Sequence, residues 1–169
     1  MELLFQINDT VVYGVHGVCR IEDITMKEFM GTSKEYYVLK PVNDSTVTLY
    51  VPKHNDKLIE KMRKILSEQE VYRLITTMPE QEALWFQNEN ERKEQYKKVI
   101  TKGDHGELIG IIKAIYLQKQ RREEEGKHLY ISDERFLKEA ERILYDEFQY
   151  VLNIKKEEVL PLIFSKLKN

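Results

Sequence analysis

The spacing of hydrophobic residues changes partway along this chain, and that change limits its fold more than any other feature. Up to about residue 55 the apolar side chains come in short runs rich in β-branched and aromatic residues, the pattern of half-buried strands. Leu3 to Ile7 reads as a short strand. Val11 to Tyr13 and Val18 to Ile24 read as the arms of a hairpin, with Gly14-Val15-His16-Gly17 at its neck. Glu35 to Leu39 and Thr46 to Val51 read as a third and a fourth strand, and Pro52 ends the last. Gly31-Thr32-Ser33 and Pro41-Val42-Asn43-Asp44-Ser45 supply the turn chemistry between them. Strands this short and evenly spaced predict a small barrel or curled sheet.

Beyond residue 55 the period becomes helical. Ser67-Glu68-Gln69-Glu70 is a capping box ahead of Val71, Leu74, Ile75 and Met78. Pro79 suits a first helical position, and the run from there to Gly103 contains no breaker, which predicts one long helix ending at a C′ glycine. Asp104 and Glu107 repeat the capping pattern before Leu108, Ile111, Ile112, Ile115 and Tyr116, and Gly126 ends that helix. The next helix starts near Ser132 and buries Phe136, Leu137, Ala140, Ile143, Leu144 and Phe148. A last helix runs from Lys156 to Leu167, with Pro161 as a site of bending. The predicted class is α+β: a small β domain over residues 1–55 and an all-α domain over 56–169.

Bulk properties remove several functions. The formal net charge is −2, so no global basic field marks a protein that coats nucleic acid. The single cysteine, Cys19, allows neither an intramolecular disulfide nor a cysteine-rich metal site, which fits a reducing cytoplasm. Met1 to Thr10 lacks the basic and apolar regions of a secretion signal. No segment reaches the roughly eighteen apolar residues of a membrane span.

Motifs for catalysis are absent too. His16, His54, His105 and His128 share no metal-ligand spacing, and no phosphate-binding or nucleophile-elbow motif occurs. A hydrolase built on His16 or His105 with a carboxylate has no nucleophile–base pattern behind it. No cofactor is expected. The carboxylates alternate with lysine and arginine at helical spacing, as on a solvated face. One local asymmetry stands out: Arg92, Lys93, Lys97, Lys98 and Lys102, then Lys113, Lys119, Arg121 and Arg122, follow the only tryptophan, Trp85. Cations beside an exposed indole suit phosphate contact and insertion into a groove. The competing reading makes Leu84, Trp85 and Phe86 a patch of helix–helix core.

Several of these pieces come in a familiar order. Phe5-x-x-x-Asp9-x-Val11-Val12-Tyr13-x-x-His16-Gly17-Val18, then Ile21, then Glu35 to Leu39, then Val51-Pro52, resembles the N-terminal module of the CarD/CdnL family of bacterial transcription regulators, a module shared with transcription-repair coupling factor. Gly103-Asp104 before an apolar helix, then Leu137-x-x-Ala140-x-x-Ile143-Leu144-x-x-Glu147, resembles that family's helical C-terminal domain. The resemblance implies a Tudor-like small barrel that docks on the β subunit of RNA polymerase. It also implies a helical domain that reaches promoter DNA at the upstream edge of the transcription bubble, where a tryptophan wedges the minor groove and stabilises the open complex. No enzymatic role is implied.

Carried over residue by residue, the polymerase contact falls on Lys27 and on the strand Thr48, Leu49, Tyr50 and Val51, with Tyr50 standing where the family has a basic residue. Docking of that strand on a polymerase strand would be β-augmentation. The DNA contact falls on Trp85, Arg92, Lys97 and Lys98. A gapless count back from Gly103-Asp104 puts the family's wedge position on Glu89, one helical turn beyond Trp85, and aligns Arg92 with a family arginine. Glu134, beside Arg135, stands where the family has a DNA-contacting lysine. Two carboxylates on that face imply weak or absent DNA binding. The alternative is therefore a divergent adapter that binds polymerase or another protein and has lost DNA.

Overall fold

The computed structural model describes residues 5–167. The chain forms two compact units, Met1–Ile65 and Leu66–Asn169. The first is a β unit and the second is all helix, as the α+β reading anticipates. The boundary lies later than the change of period near residue 55, for a reason given by the last strand of the first unit.

That unit contains β1 (Thr10–Tyr13), β2 (Val18–Phe29), β3 (Thr32–Pro41), β4 (Leu49–Pro52), a one-turn helix α1 (Asp56–Ile59) and β5 (Met62–Lys64). The strands form one antiparallel sheet in the order β4-β3-β2-β1-β5. Among the described residues the sheet is not closed: β4 and β5 are its two edges. β5 pairs with β1, Met62 opposite Tyr13, and so carries the unit on to Ile65. Its three residues alternate too briefly to be read from sequence. The core side holds Phe5, Val11, Tyr13, Cys19, Ile21, Tyr37, Leu39, Val51 and Met62.

Local chemistry explains the turns. Gly14, Val15 and His16 form a 3-10 turn between β1 and β2. Gly14 and Gly17 take φ values of 47° and 73°, a region that L side chains disfavour. The His16 ring stacks on Tyr13, centroids 5.7 Å apart and 9° from parallel, so the histidine shapes the hairpin neck. Between β2 and β3 the turn is Met30-Gly31, both at positive φ. The turn lies one residue earlier than the glycine-led reading, and Thr32 and Ser33 belong to β3. Thr46 to Thr48 stay outside β4 because Asp44 accepts hydrogen bonds from the Thr46 N–H (3.1 Å) and hydroxyl (2.5 Å). Of the expected Leu3–Ile7 strand, Leu3 and Leu4 lie outside the described residues; Phe5 to Ile7 are not a strand.

The second unit comprises α2 (Glu68–Thr77), a 3-10 turn (Met78–Glu80), α3 (Glu89–Lys102), α4 (His105–Glu124), α5 (Ile131–Leu152) and α6 (Lys156–Leu167). The capping box at Ser67 and Glu70 forms in both directions. Gly103 ends α3 at φ 73°, and the Asp104 carboxylate accepts from the Glu107 N–H at the start of α4. Tyr130, rather than Ser132, is the N-cap of α5, and the Ser132 hydroxyl is buried without a hydrogen-bond partner. Ile75, Tyr96, Leu108, Ile111, Ile115, Ala140, Ile143, Leu144 and Phe148 form the centre of this core. Pro161 lies inside α6.

One expectation fails outright. The unbroken helix from Pro79 to Gly103 does not form; residues 81–88 carry no regular structure. Asn88 starts a new helix by accepting the Glu91 N–H, and asparagine favours that position because its side chain satisfies an orphan donor. Lys113 of α4 provides the competing pull: its Nζ donates to the carbonyls of Met78, Pro79 and Gln81 at 2.9, 3.0 and 2.5 Å. Carbonyls captured by a distant ammonium do not need helical partners.

Candidate functional site

Each unit offers one surface. In the first it is the β2–β3–β4 face that points away from the core, together with the β4 edge. Tyr37 and Val51 point inward opposite each other, so Tyr36, Val38 and Tyr50 point outward. Lys27 of β2 joins them, its Nζ 3.7 Å from the centroid of the Tyr50 ring. Phe29, more than half exposed, meets Tyr36 edge-on at 5.7 Å.

The backbone register of β4 sets which groups are free. The Lys53 N–H donates to the Glu35 carbonyl at 2.9 Å. Hydrogen-bonded pairs alternate along an antiparallel ladder, so Val51 and Leu49 direct their backbone groups to β3. Tyr50 directs its N–H and C=O to the opposite side, where no strand pairs among the described residues. Beside this edge Lys53 holds the Glu35 carboxylate at 2.7 Å, and that hydrogen bond lowers the Glu35 pKa. Of the five residues carried over for polymerase contact, Lys27 and Tyr50 meet in one cluster. Leu49 is half-buried and Thr48 is exposed ahead of the strand. Val51 is a core residue that can take part only through its backbone.

The surface of the second unit is built around Trp85. Residues 81–88 act as a strap across α3 and α4. The Leu84 N–H donates to the Gly110 carbonyl (2.9 Å), and the Leu84 carbonyl accepts the Tyr96 hydroxyl (2.5 Å). Burial pushes the pKa of that hydroxyl up. Gly110 allows the close approach: a Cβ there would stand 3.0 Å from the Glu82 carbonyl oxygen. Phe86 packs edge-on against Tyr96, which packs edge-on against Phe136. Leu84 and Phe86, themselves partly buried, thus pack against the core. Trp85, between them, is only partly buried, and its Nε1 donates to Gln87 at 2.9 Å. The core-patch reading holds for its neighbours and not for the indole.

Arg92 does not reach outward. It is 2 % exposed. Its Nε and Nη2 donate to the two carboxylate oxygens of Asp133 at 2.8 and 2.9 Å, and its Nη1 donates to the Phe86 carbonyl at 2.9 Å. Its guanidinium carbon lies 4.3 Å from the centroid of the Trp85 ring. The expectation that Arg92 binds phosphate is therefore corrected: its donors are committed inside the protein. Spacing alone gave no sign of this, because Asp133 comes from another helix. Lys97 is exposed, and Lys98 is exposed with a loose contact to Glu94 at 3.8 Å. Glu89 is not one helical turn from Trp85 on a shared helix. It opens α3 and pairs with Lys93 at 3.1 Å, while Glu134 pairs with Lys138 at 3.7 Å.

A half-buried pair that spacing also missed lies elsewhere in the helical unit. His105 Nε2 is 2.8 Å from Oε1 of Glu147, and the other Glu147 oxygen accepts the Leu66 N–H at 3.0 Å. Cys19 is fully buried, and burial pushes its thiol pKa up to about 11. That is the behaviour of an inert core thiol. No helix among the described residues is long and apolar enough to cross a membrane.

Comparison with known proteins divides the chain as the structure does. Residues 5–66 match the family described as CarD-like/TRCF RID domain, and residues 70–164 match the CarD C-terminal domain. A curated relative, "Putative transcription factor YdeB" of Bacillus subtilis (strain 168), is 26% identical over 158 residues, which cover 92% of this chain and 97% of the relative. With a matching β unit, a matching helical unit and a relative spanning nearly its whole length, the chain belongs to the CarD/CdnL family of transcription regulators.

Proposed function

We propose that this protein is a non-enzymatic regulator that binds the β subunit of RNA polymerase through its first unit and tunes promoter open-complex stability through a modest DNA contact of its second. The outward-facing backbone of Tyr50 carries the first half of this reading. An edge strand with one free N–H and C=O, flanked by an exposed aromatic–cation cluster, has the chemistry of β-augmentation. Membership of a family whose first domain also occurs in transcription-repair coupling factor points to the same partner. The second half rests on Trp85, a partly buried indole on the strap that the two Leu84 hydrogen bonds tie to α3 and α4.

The test is binding of the full chain to purified polymerase β subunit and, in parallel, to a promoter fragment at two salt concentrations. Binding to both, with the DNA affinity falling as salt rises, supports the regulator. Phosphate contacts give a slope of about −0.9 per neutralised phosphate in log K against log salt. Trp85→Ala should lower DNA affinity with little change in Tm. No binding to the β subunit would end the proposal.

A specific observation favours a second reading, an adapter that binds polymerase without DNA. Arg92 is withdrawn into the core, and Glu89 and Glu134 keep acidic charge on α3 and α5. Polymerase binding with no salt-sensitive DNA binding would select it.

A further inference from the structure

We infer that Asp133 and Arg92 form a positioning device for Trp85: the buried ion pair fixes the plane on which the indole rests, and so sets its presentation to DNA. This deepens the proposed DNA contact and rests on it. Trp85 belongs to a segment without helix or strand, so no backbone ladder orients it. Its immediate surroundings supply the order instead. Asp133, 1 % exposed, engages Arg92 with both carboxylate oxygens. The third direction of the guanidinium plane is taken by the Phe86 carbonyl, which locks the residue next to Trp85. With its edge donors engaged in this way, the guanidinium offers its flat face to the indole, 4.3 Å from the ring centroid. Arginine suits this position because its charge is planar and delocalised; a lysine at the same place would offer a point charge and no platform.

A purely architectural role for the pair, tying α3 to α5, would not need this arrangement. Buried ion pairs contribute little net stability compared with apolar packing of the same volume. What an apolar pair cannot do is hold a flat cationic surface against a partly exposed indole while gripping the adjacent carbonyl.

The single tryptophan makes the test direct, because fluorescence of the full chain reports Trp85 alone. The variants are Asp133→Asn, which removes the charge and keeps the shape, and Arg92→Lys, which keeps the charge and removes the platform. Each is also combined with Trp85→Ala. We expect both single variants to keep helical circular dichroism and binding to polymerase β subunit. Trp85 anisotropy should fall, iodide quenching should rise, and promoter-DNA affinity should drop toward that of Trp85→Ala. In the Trp85→Ala background neither substitution should lower DNA affinity further.

Unchanged indole anisotropy in both folded variants would overturn the inference, as would an equal loss of DNA affinity with and without Trp85. If Asp133→Asn does not fold, Arg92→Lys carries the same readouts. If Trp85→Ala binds DNA as well as the native chain, the DNA reading fails, while anisotropy still decides whether the pair positions the indole.

Discussion

The ammonium of Lys27 and the ring of Tyr50 meet at 3.7 Å across the outer face of the sheet, joining β2 to the edge strand β4. A basic side chain and an aromatic one that are unremarkable separately become one cluster beside a free backbone edge. Cation–π contacts of this kind are worth about 0.5–1 kcal/mol at exposed sites, enough to bias the ring toward this pose.

Substitution at Tyr50 separates side chain from backbone. Tyr50→Ala removes the ring and leaves the outward N–H in place. Tyr50→Pro removes both, and proline is tolerated on an edge strand when its missing N–H faces away from the sheet. Polymerase affinity should fall with alanine and fall further with proline, at nearly equal Tm. Equal affinities for the two variants, by calorimetry, would argue that no strand pairing occurs. Lys27→Glu should weaken the same binding.

His105→Ala should destabilise the helical unit strongly. Glu147 is 0 % exposed and loses the imidazole 2.8 Å from its Oε1, while the Leu66 N–H still donates to its Oε2. Removing one partner of a buried acceptor costs about 1–3 kcal/mol, and more where the group is charged. Denaturant unfolding measures it; a loss below about 1 kcal/mol, the range of an exposed pair, would contradict the assigned burial.

Cys19 should resist alkylation while the protein is folded. The thiol ordinarily ionises at 9.0 and is pushed up to about 11 by burial. Below the ordinary value both states keep the proton and stability is unaffected. Between the two values the unfolded chain ionises first, so stability should decline as pH rises through that window. Iodoacetamide labelling at pH 8, native against urea-unfolded, reads the accessibility; comparable rates would place the thiol at the surface.

Gly110→Ala should disturb the strap more than the fold. Alanine gains about 1 kcal/mol of helix propensity inside α4. Its Cβ meets the Glu82 carbonyl oxygen at 3.0 Å and the Leu84 Cβ at 3.1 Å, so the strap must shift. Trp85 emission should change while Tm stays nearly constant. Unaltered emission would mean that the strap accommodates the methyl without moving.

The short runs of β-branched and aromatic residues over Val11–Tyr13, Val18–Ile24 and Glu35–Leu39, bounded by turn residues, were enough to anticipate the sheet, because such side chains favour strands. Caps at Ser67, Gly103 and Asp104 are local chemistry, and they formed as read. β5 was illegible because three residues cannot display a period, and it exists only through pairing with β1. The strap was illegible for a different reason. Pro79 to Gly103 is sound helical sequence, and it is interrupted by Lys113 and Gly110, residues supplied by α4. The same non-local cause hid the role of Arg92. Its basic character is visible in sequence, but the carboxylate that withdraws it belongs to α5.

The register of β4 has a consequence for isotope exchange. From Leu49 to Lys53, Leu49, Val51 and Lys53 direct their amides to β3, and Pro52 has none. That leaves the Tyr50 proton to exchange with solvent at an unprotected rate while its neighbours stay slow. Capture of the edge by any partner strand would silence that one proton, so a single amide resonance would reveal whether, and how long, this strand is occupied.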